Sequence, residues 1–198
     1  MMDILHYRWL KLQAVVLVAL GCRSTALQRF KHMLQLRPAD NHALASLAHL
    51  HAEQLEFSAA ITSLHQLTSA WPQDAAAWFN LGYVLQQTGR HEDAEPAFRC
   101  ALALDPLMDR AWYGLALALM QRQQFHEAAQ ALKKNTALQP MSPYGWYRLA
   151  EVWMALDQPG EAHKVLRHLR QFEPAVASQL ARQYRAIFNA PGAFDGTH

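Results

Sequence analysis

Trp78-Phe79-Asn80-Leu81-Gly82-Tyr83-Val84-Leu85, followed by Ala94-x3-Phe98, Ala101 and Pro106, is a pattern that returns in register along the chain. Moving 34 residues on gives Trp112-x2-Leu115-Ala116-x2-Leu119, Ala128-x3-Leu132 and Pro140. A further step gives Trp146-x2-Leu149-Ala150-x2-Trp153, Ala162-x3-Leu166 and Pro174. Backwards, weaker copies read Leu44, Leu47, Ala48, His51, Ala60, Leu64, Leu67 and Pro72, then Leu10, Gln13, Ala14, Leu17, Ala26, Phe30, Met33 and Pro38. The five evenly spaced prolines set frames 7–40, 41–74, 75–108, 109–142 and 143–176. A helix-breaking residue at the end of every unit of this length marks stacked helix-turn-helix hairpins.

Each recurring type has a physical reason. Ala14, Ala48, Gly82, Ala116 and Ala150 on the first helices, with Ala26, Ala60, Ala94, Ala128 and Ala162 on the second, let two backbones approach within a hairpin. The large apolar residues fall at helical spacing and build a stripe toward the neighbouring helix. Trp112 and Trp146 are expected to be buried, at a truncation cost of about 3–5 kcal/mol. The residue before each proline is expected outside the α region. Turns between the paired helices are expected at Gly21, Gly89 and Gly160, and Pro96 should give a small irregularity in a second helix, not a break.

The pattern resembles the tetratricopeptide repeat (TPR) family, with its tryptophan, Leu-Gly, tyrosine, alanine, phenylalanine and proline positions. The resemblance covers residues 7–176. It implies an all-α fold, an α-solenoid with a right-handed superhelix of about five TPR units. Val176, Leu180, Tyr184, Ile187 and Phe188 continue as one amphipathic capping helix over 175–189. One solenoid is expected over 1–189, with a tail at 190–198.

Composition limits the function classes. Net charge is +2, too small by itself to point to nucleic acid, and no nucleic-acid partner is expected. Charge is uneven: Lys133 to Arg185 holds eight Lys or Arg against four Asp or Glu. Two distant cysteines, Cys22 and Cys100, suggest no disulfide framework. His49 and His51 lie two apart and face away from one another on a helix, unlike the i, i+4 spacing of helical zinc ligands. No phosphate loop, nucleophile elbow or paired cysteines appear, so no catalytic residue, metal or cofactor is expected and the chain reads as no enzyme.

Two readings meet at the N-terminus. Arg8 and Lys11 precede an apolar run, Leu12 to Leu20 broken only by Gln13, and Gly21-Cys22 follows, like a short secretory segment ending at a lipoprotein site. Leu20 stands in the wrong slot for that site, and Ala14, Leu17, Gly21, Ala26 and Phe30 keep the downstream phase. The run is too short to span a membrane. The expectation is a retained solenoid helix in a cytoplasmic protein. The alternative is a lipid-anchored periplasmic assembly factor acylated at Cys22.

The TPR resemblance implies a concave groove lined by first helices that holds an extended or helical protein segment. The partner-binding residues implied are Phe79, Asn80, Tyr83, Arg110, Tyr113, Leu117, Met120, Tyr144, Tyr147 and Arg148. Aromatic and arginine side chains are the usual anchors of such interfaces. Some TPR co-chaperones grip a C-terminal carboxylate with a lysine and asparagine clamp. Here only Asn80 and Arg110 fit, while Ala45, His49 and Gly114 break it. A self-assembling scaffold, a homo-oligomer through the Val15, Val16 and Val18 face or the capping helix, is the other alternative.

Overall fold

The computed structural model describes residues 2–184, with side chains from residue 4, and shows eleven α-helices and no strand among them. They are α1 (Met2–Ala19), α2 (Arg23–Leu36), α3 (Asn41–Glu53), α4 (Phe57–Ala70), α5 (Ala75–Gln87) and α6 (His91–Leu104), then α7 (Asp109–Gln121), α8 (Phe125–Leu138), α9 (Pro143–Ala155), α10 (Pro159–Phe172) and α11 (Pro174–Gln183). The chain forms two compact units, which divide between Asp105 and Pro106. Within the first, α1 to α6 pack successively; within the second, α7 to α11 do the same, and α11 also touches α9. This is the packing of an α-solenoid of helical hairpins.

The phase is strict. Helices α3, α5, α7 and α9 start 34 residues apart, as do α2, α4, α6, α8 and α10. Arg37, Trp71, Asp105, Gln139 and Glu173, each just before one of the periodic prolines, end the second helices with φ between −140° and −128° and ψ between 66° and 90°. The proline ring disfavours the α region for its predecessor, and the chain leaves each second helix there. In the first unit Asp40 and Asp74 then cap the next helices, accepting from Ala43 N and Ala77 N.

The turn inside each hairpin is equally regular. Gly21, Leu55, Gly89, Gln123 and Asp157 have φ between 54° and 74°, one per frame. Gly160, expected in a turn, lies in the first turn of α10 instead, and Asp157 takes the left-handed position. An Asp tolerates that conformation through local hydrogen bonding. Pro96 leaves α6 continuous.

The small positions are buried in every frame, from Ala14 with Ala26 to Ala150 with Ala162. At Gly82 the reason is local: a Cβ there would stand 2.9 Å from the Phe98 ring, itself fully buried. Trp112 and Trp146, expected to be buried, are only half-buried. Their indole N–H groups, like that of Trp78, donate to the carbonyls of Pro106, Pro140 and Pro72 at 2.8–2.9 Å. Each tryptophan therefore ties down the turn that precedes its own helix, and its outer edge stays wet. Cys100 is half-buried and both thiols are free. The capping helix begins at Pro174, and Ala177 and Leu180 bury its inner face. Positions 185–189 of the expected cap and the tail at 190–198 lie outside the described residues.

Candidate functional site

In the second unit, α7, α9 and α11 leave an open groove of about 560 Å³ lined by Tyr113, Pro143, Tyr144, Tyr147, Arg148, Glu151, Glu173, Val176 and Gln179. Helix periodicity explains the convergence. Tyr144, Tyr147, Arg148 and Glu151 recur at i, i+3, i+4 and i+7 on α9, so they share a face. Pro143 at the first helical position fixes the entry of α9 without loss of a helical hydrogen bond.

The centre of the groove is polar and preorganised. Arg148 donates to Glu151 Oε2 at 2.6 Å and also bonds the Tyr113 phenol. Burial works against its charge, but those bonds to Glu151 and Tyr113 more than offset it and raise the pKa. Tyr147 donates to Gln183 Oε1 at 2.5 Å, which joins α9 to the end of α11. Burial first, and the Glu151 charge second, raise the pKa of the Tyr147 phenol. Burial, Glu151 and Tyr147 do the same to Tyr184. Both phenols therefore stay protonated and neutral. Tyr144, at 72% exposure, projects its ring into solvent at the mouth.

Of the residues expected in the lining, Tyr113, Tyr144, Tyr147 and Arg148 are brought together here. Leu117 and Met120 are half-buried on α7 outside that lining, and Arg110 is exposed on its first turn. Phe79, Asn80 and Tyr83 belong to α5 of the first unit. There Asn80 and Tyr83 are exposed, whereas Phe79 is 8% exposed and packs between Phe98 and Tyr83. At the clamp position His49 pairs with Glu53 at 3.6 Å.

Glu173, Val176 and Gln179 from the cap were missed as a wall. Val176 shares a helix face with Leu180, and its place in the groove wall follows from how α11 packs on α9. A second groove of about 570 Å³, also missed, lies over α8, α9 and α10, with Trp146, Leu149, Trp153 and Val165 as its apolar floor. Lys133 Nζ stands 4.8 Å over the Trp153 ring, and the His168 ring lies 4.2 Å from Trp146. His51, read as a packing residue, is buried, and its Nδ1 meets Glu56 Oε2 at 2.6 Å. No three His, Cys, Asp or Glu among the described residues are grouped to hold a metal. The arrangement offers donors, acceptors and aromatic faces, which suit recognition of a polypeptide.

Solved structures share this fold. A MamA structure from Desulfovibrio magneticus RS-1 is 19% identical at a TM-score of 0.76, covering 90% of this chain and 96% of that one. YrrB, described as a TPR protein with an unusual peptide-binding site, is 16% identical at 0.77, covering 85% and 88%. PilF of Pseudomonas aeruginosa is 16% identical at 0.68, covering 98% and 97%. No curated protein sequence matches. The tetratricopeptide repeat family model matches residues 45–109, 84–140 and 113–175. Matched over most of its length and folded accordingly, the chain belongs to the tetratricopeptide repeat family, whose members are non-enzymatic protein-interaction scaffolds.

Proposed function

We propose that the groove of α7, α9 and α11 holds an extended segment of a partner protein. The observation that carries this is the Tyr113–Arg148–Glu151 hydrogen-bonded centre at the floor of an open groove with Tyr144 unburied at its mouth. Burial of the Tyr144 ring supplies affinity, and the guanidinium fixes an acidic side chain or backbone carbonyl. In the first unit, taken by itself, Asn80 and Tyr83 are exposed on α5, with Phe79 stacked on Tyr83. The peptide-binding site named for YrrB lends general support for such use of the fold.

Selection of displayed peptides on the wild-type protein, with counter-selection on Tyr113→Ala/Tyr144→Ala, tests the reading. Enriched peptides should carry an acidic residue beside apolar ones and bind the double variant at least about tenfold more weakly, a loss of roughly 1.4 kcal/mol. Equal binding to both proteins refutes the groove.

We also infer that α1 is retained in the working protein. Its Tyr7, Leu10 and Ala14 are buried in one cluster with Phe30 and Met33 of α2. Cleavage before Cys22 would strip that core. Intact mass from the native host decides it, and a chain that begins at an acylated Cys22 overturns the inference.

A further inference from the structure

α1 is apolar nearly all round, although only one side of it is covered. Tyr7, Leu10 and Ala14 face α2. On the opposite side Leu5, Trp9, Leu12, Val16 and Leu20 expose 47–70% of their surface, and Ile4 and Val15 expose 46–56% beside them. The first five recur at spacings of four, three, four and four, which makes one stripe along the 18 residues of α1 and the turn residue Leu20. A helix apolar on both faces is normally buried.

In α3 and α9 the corresponding face is covered by the preceding second helix. There the register position of Trp9 holds Ala43 and Gly145, and that of Val16 holds Leu50 and Val152, all buried. Trp9 is too large for that close approach, so the face of α1 is not shaped to receive another hairpin of this kind. Charge points elsewhere. Residues 4–37 carry six of the chain's eighteen Lys and Arg and none of its sixteen Asp and Glu. Arg23 is paired with Glu53, and Arg37 lies over the Tyr7 ring. Arg8 and Lys11 stand exposed at the edge of the apolar stripe itself. Two such hairpins placed face to face would repel, whereas an anionic surface would attract them. No described helix is long and apolar enough to cross a bilayer. An apolar stripe with a tryptophan and flanking cations is the composition of a helix that lies in the headgroup region.

We propose that α1 is an interfacial helix that seats this end of the protein on a membrane surface rich in anionic lipid. Trp9 sits at headgroup level, Leu5, Leu12 and Val16 enter the acyl boundary, and Arg8 and Lys11 contact lipid phosphates.

Flotation of the full chain with phosphatidylcholine vesicles, with and without phosphatidylglycerol, tests this. The wild type should float with the anionic vesicles only, and less so as salt rises. Arg8→Gln/Lys11→Gln should weaken partitioning about 25-fold, roughly fivefold for each charge. Leu5→Ser/Leu12→Ser/Val16→Ser should abolish it. All three side chains of the triple variant are exposed, so its helicity should match the wild type and serves as the folding control. Absence of flotation at low salt, or equal flotation of the triple variant, overturns the proposal. So does concentration-dependent dimerisation in sedimentation velocity that the triple variant loses while vesicles stay unbound, because the face would then join two copies of the chain.

Discussion

Leu55 and Gly89 occupy the same turn position in successive hairpins, one with a side chain and one without, at φ of 61° and 74°. An L-residue in the left-handed region carries about 1–2 kcal/mol of steric cost, which glycine avoids. Nothing lies within 4 Å of a Cβ built on Gly89, so Gly89→Ala isolates the backbone term and should destabilise by about 1 kcal/mol in urea melts. Leu55→Gly should gain up to about 1 kcal/mol, Gln123→Gly somewhat less, and Asp157→Gly almost nothing. A gain at Asp157 as large as that at Leu55 would contradict the reasoning. Gly145 poses a packing question instead. A Cβ there would collide with Asn135 Oδ1, while Asn135 Nδ2 donates to the Asp109 carbonyl at 3.0 Å. Gly145→Ala should therefore cost about 1–3 kcal/mol, and most of that cost should vanish in an Asn135→Ala background. Additive losses in that double-mutant cycle would show that the two residues do not share the space.

At the scale of elements, the first hairpin is held to the start of α3 by Tyr7, which donates to Asp40, the residue that caps α3. Burial, then the Asp40 hydrogen bond and charge, push the Tyr7 phenol up to about 12 from 10.0. Between those values the folded chain keeps a proton that the unfolded chain has released, so stability falls as pH rises through that window. Tyr7→Phe should lower stability at neutral pH and flatten the alkaline slope between the two values, read by chemical denaturation across the range. An unchanged slope would mean that the Tyr7 phenol is not the group that titrates in that window. The elements themselves were legible because proline and the small positions act through backbone geometry, which sequence spacing encodes directly. The wetness of Trp112 and Trp146 was not, since it follows from an indole hydrogen bond to the preceding turn. Gly160 misled for a related reason: a glycine permits a left-handed turn without requiring one, and Asp157 took the position.

Over the whole chain, stability in a repeat protein is a sum of hairpin terms and nearest-neighbour interfaces. The groove residues of α9 were readable because one face of one helix carries them, whereas the wall given by α11 depends on tertiary packing that no period announces. Net charge over the whole chain hides the basic first hairpin, because acidic residues outnumber basic ones in the repeats that follow it. Leu180, fully buried, is the main side chain of α11 toward α9 and α10. Leu180→Ala should cost about 2–5 kcal/mol locally. If coupling runs only between neighbours, hydrogen exchange should accelerate most in α11, less in α10 and α9, and not measurably in α3 or α4. Because α11 and its N-cap also supply Val176, Gln179 and Glu173 to the groove, the same substitution should weaken binding of the peptides selected above even where α9 stays folded. Uniform loss of protection from α1 to α11 would instead mean that the whole array unfolds as one cooperative unit. Stability and recognition could then not be tuned separately by changes to the cap.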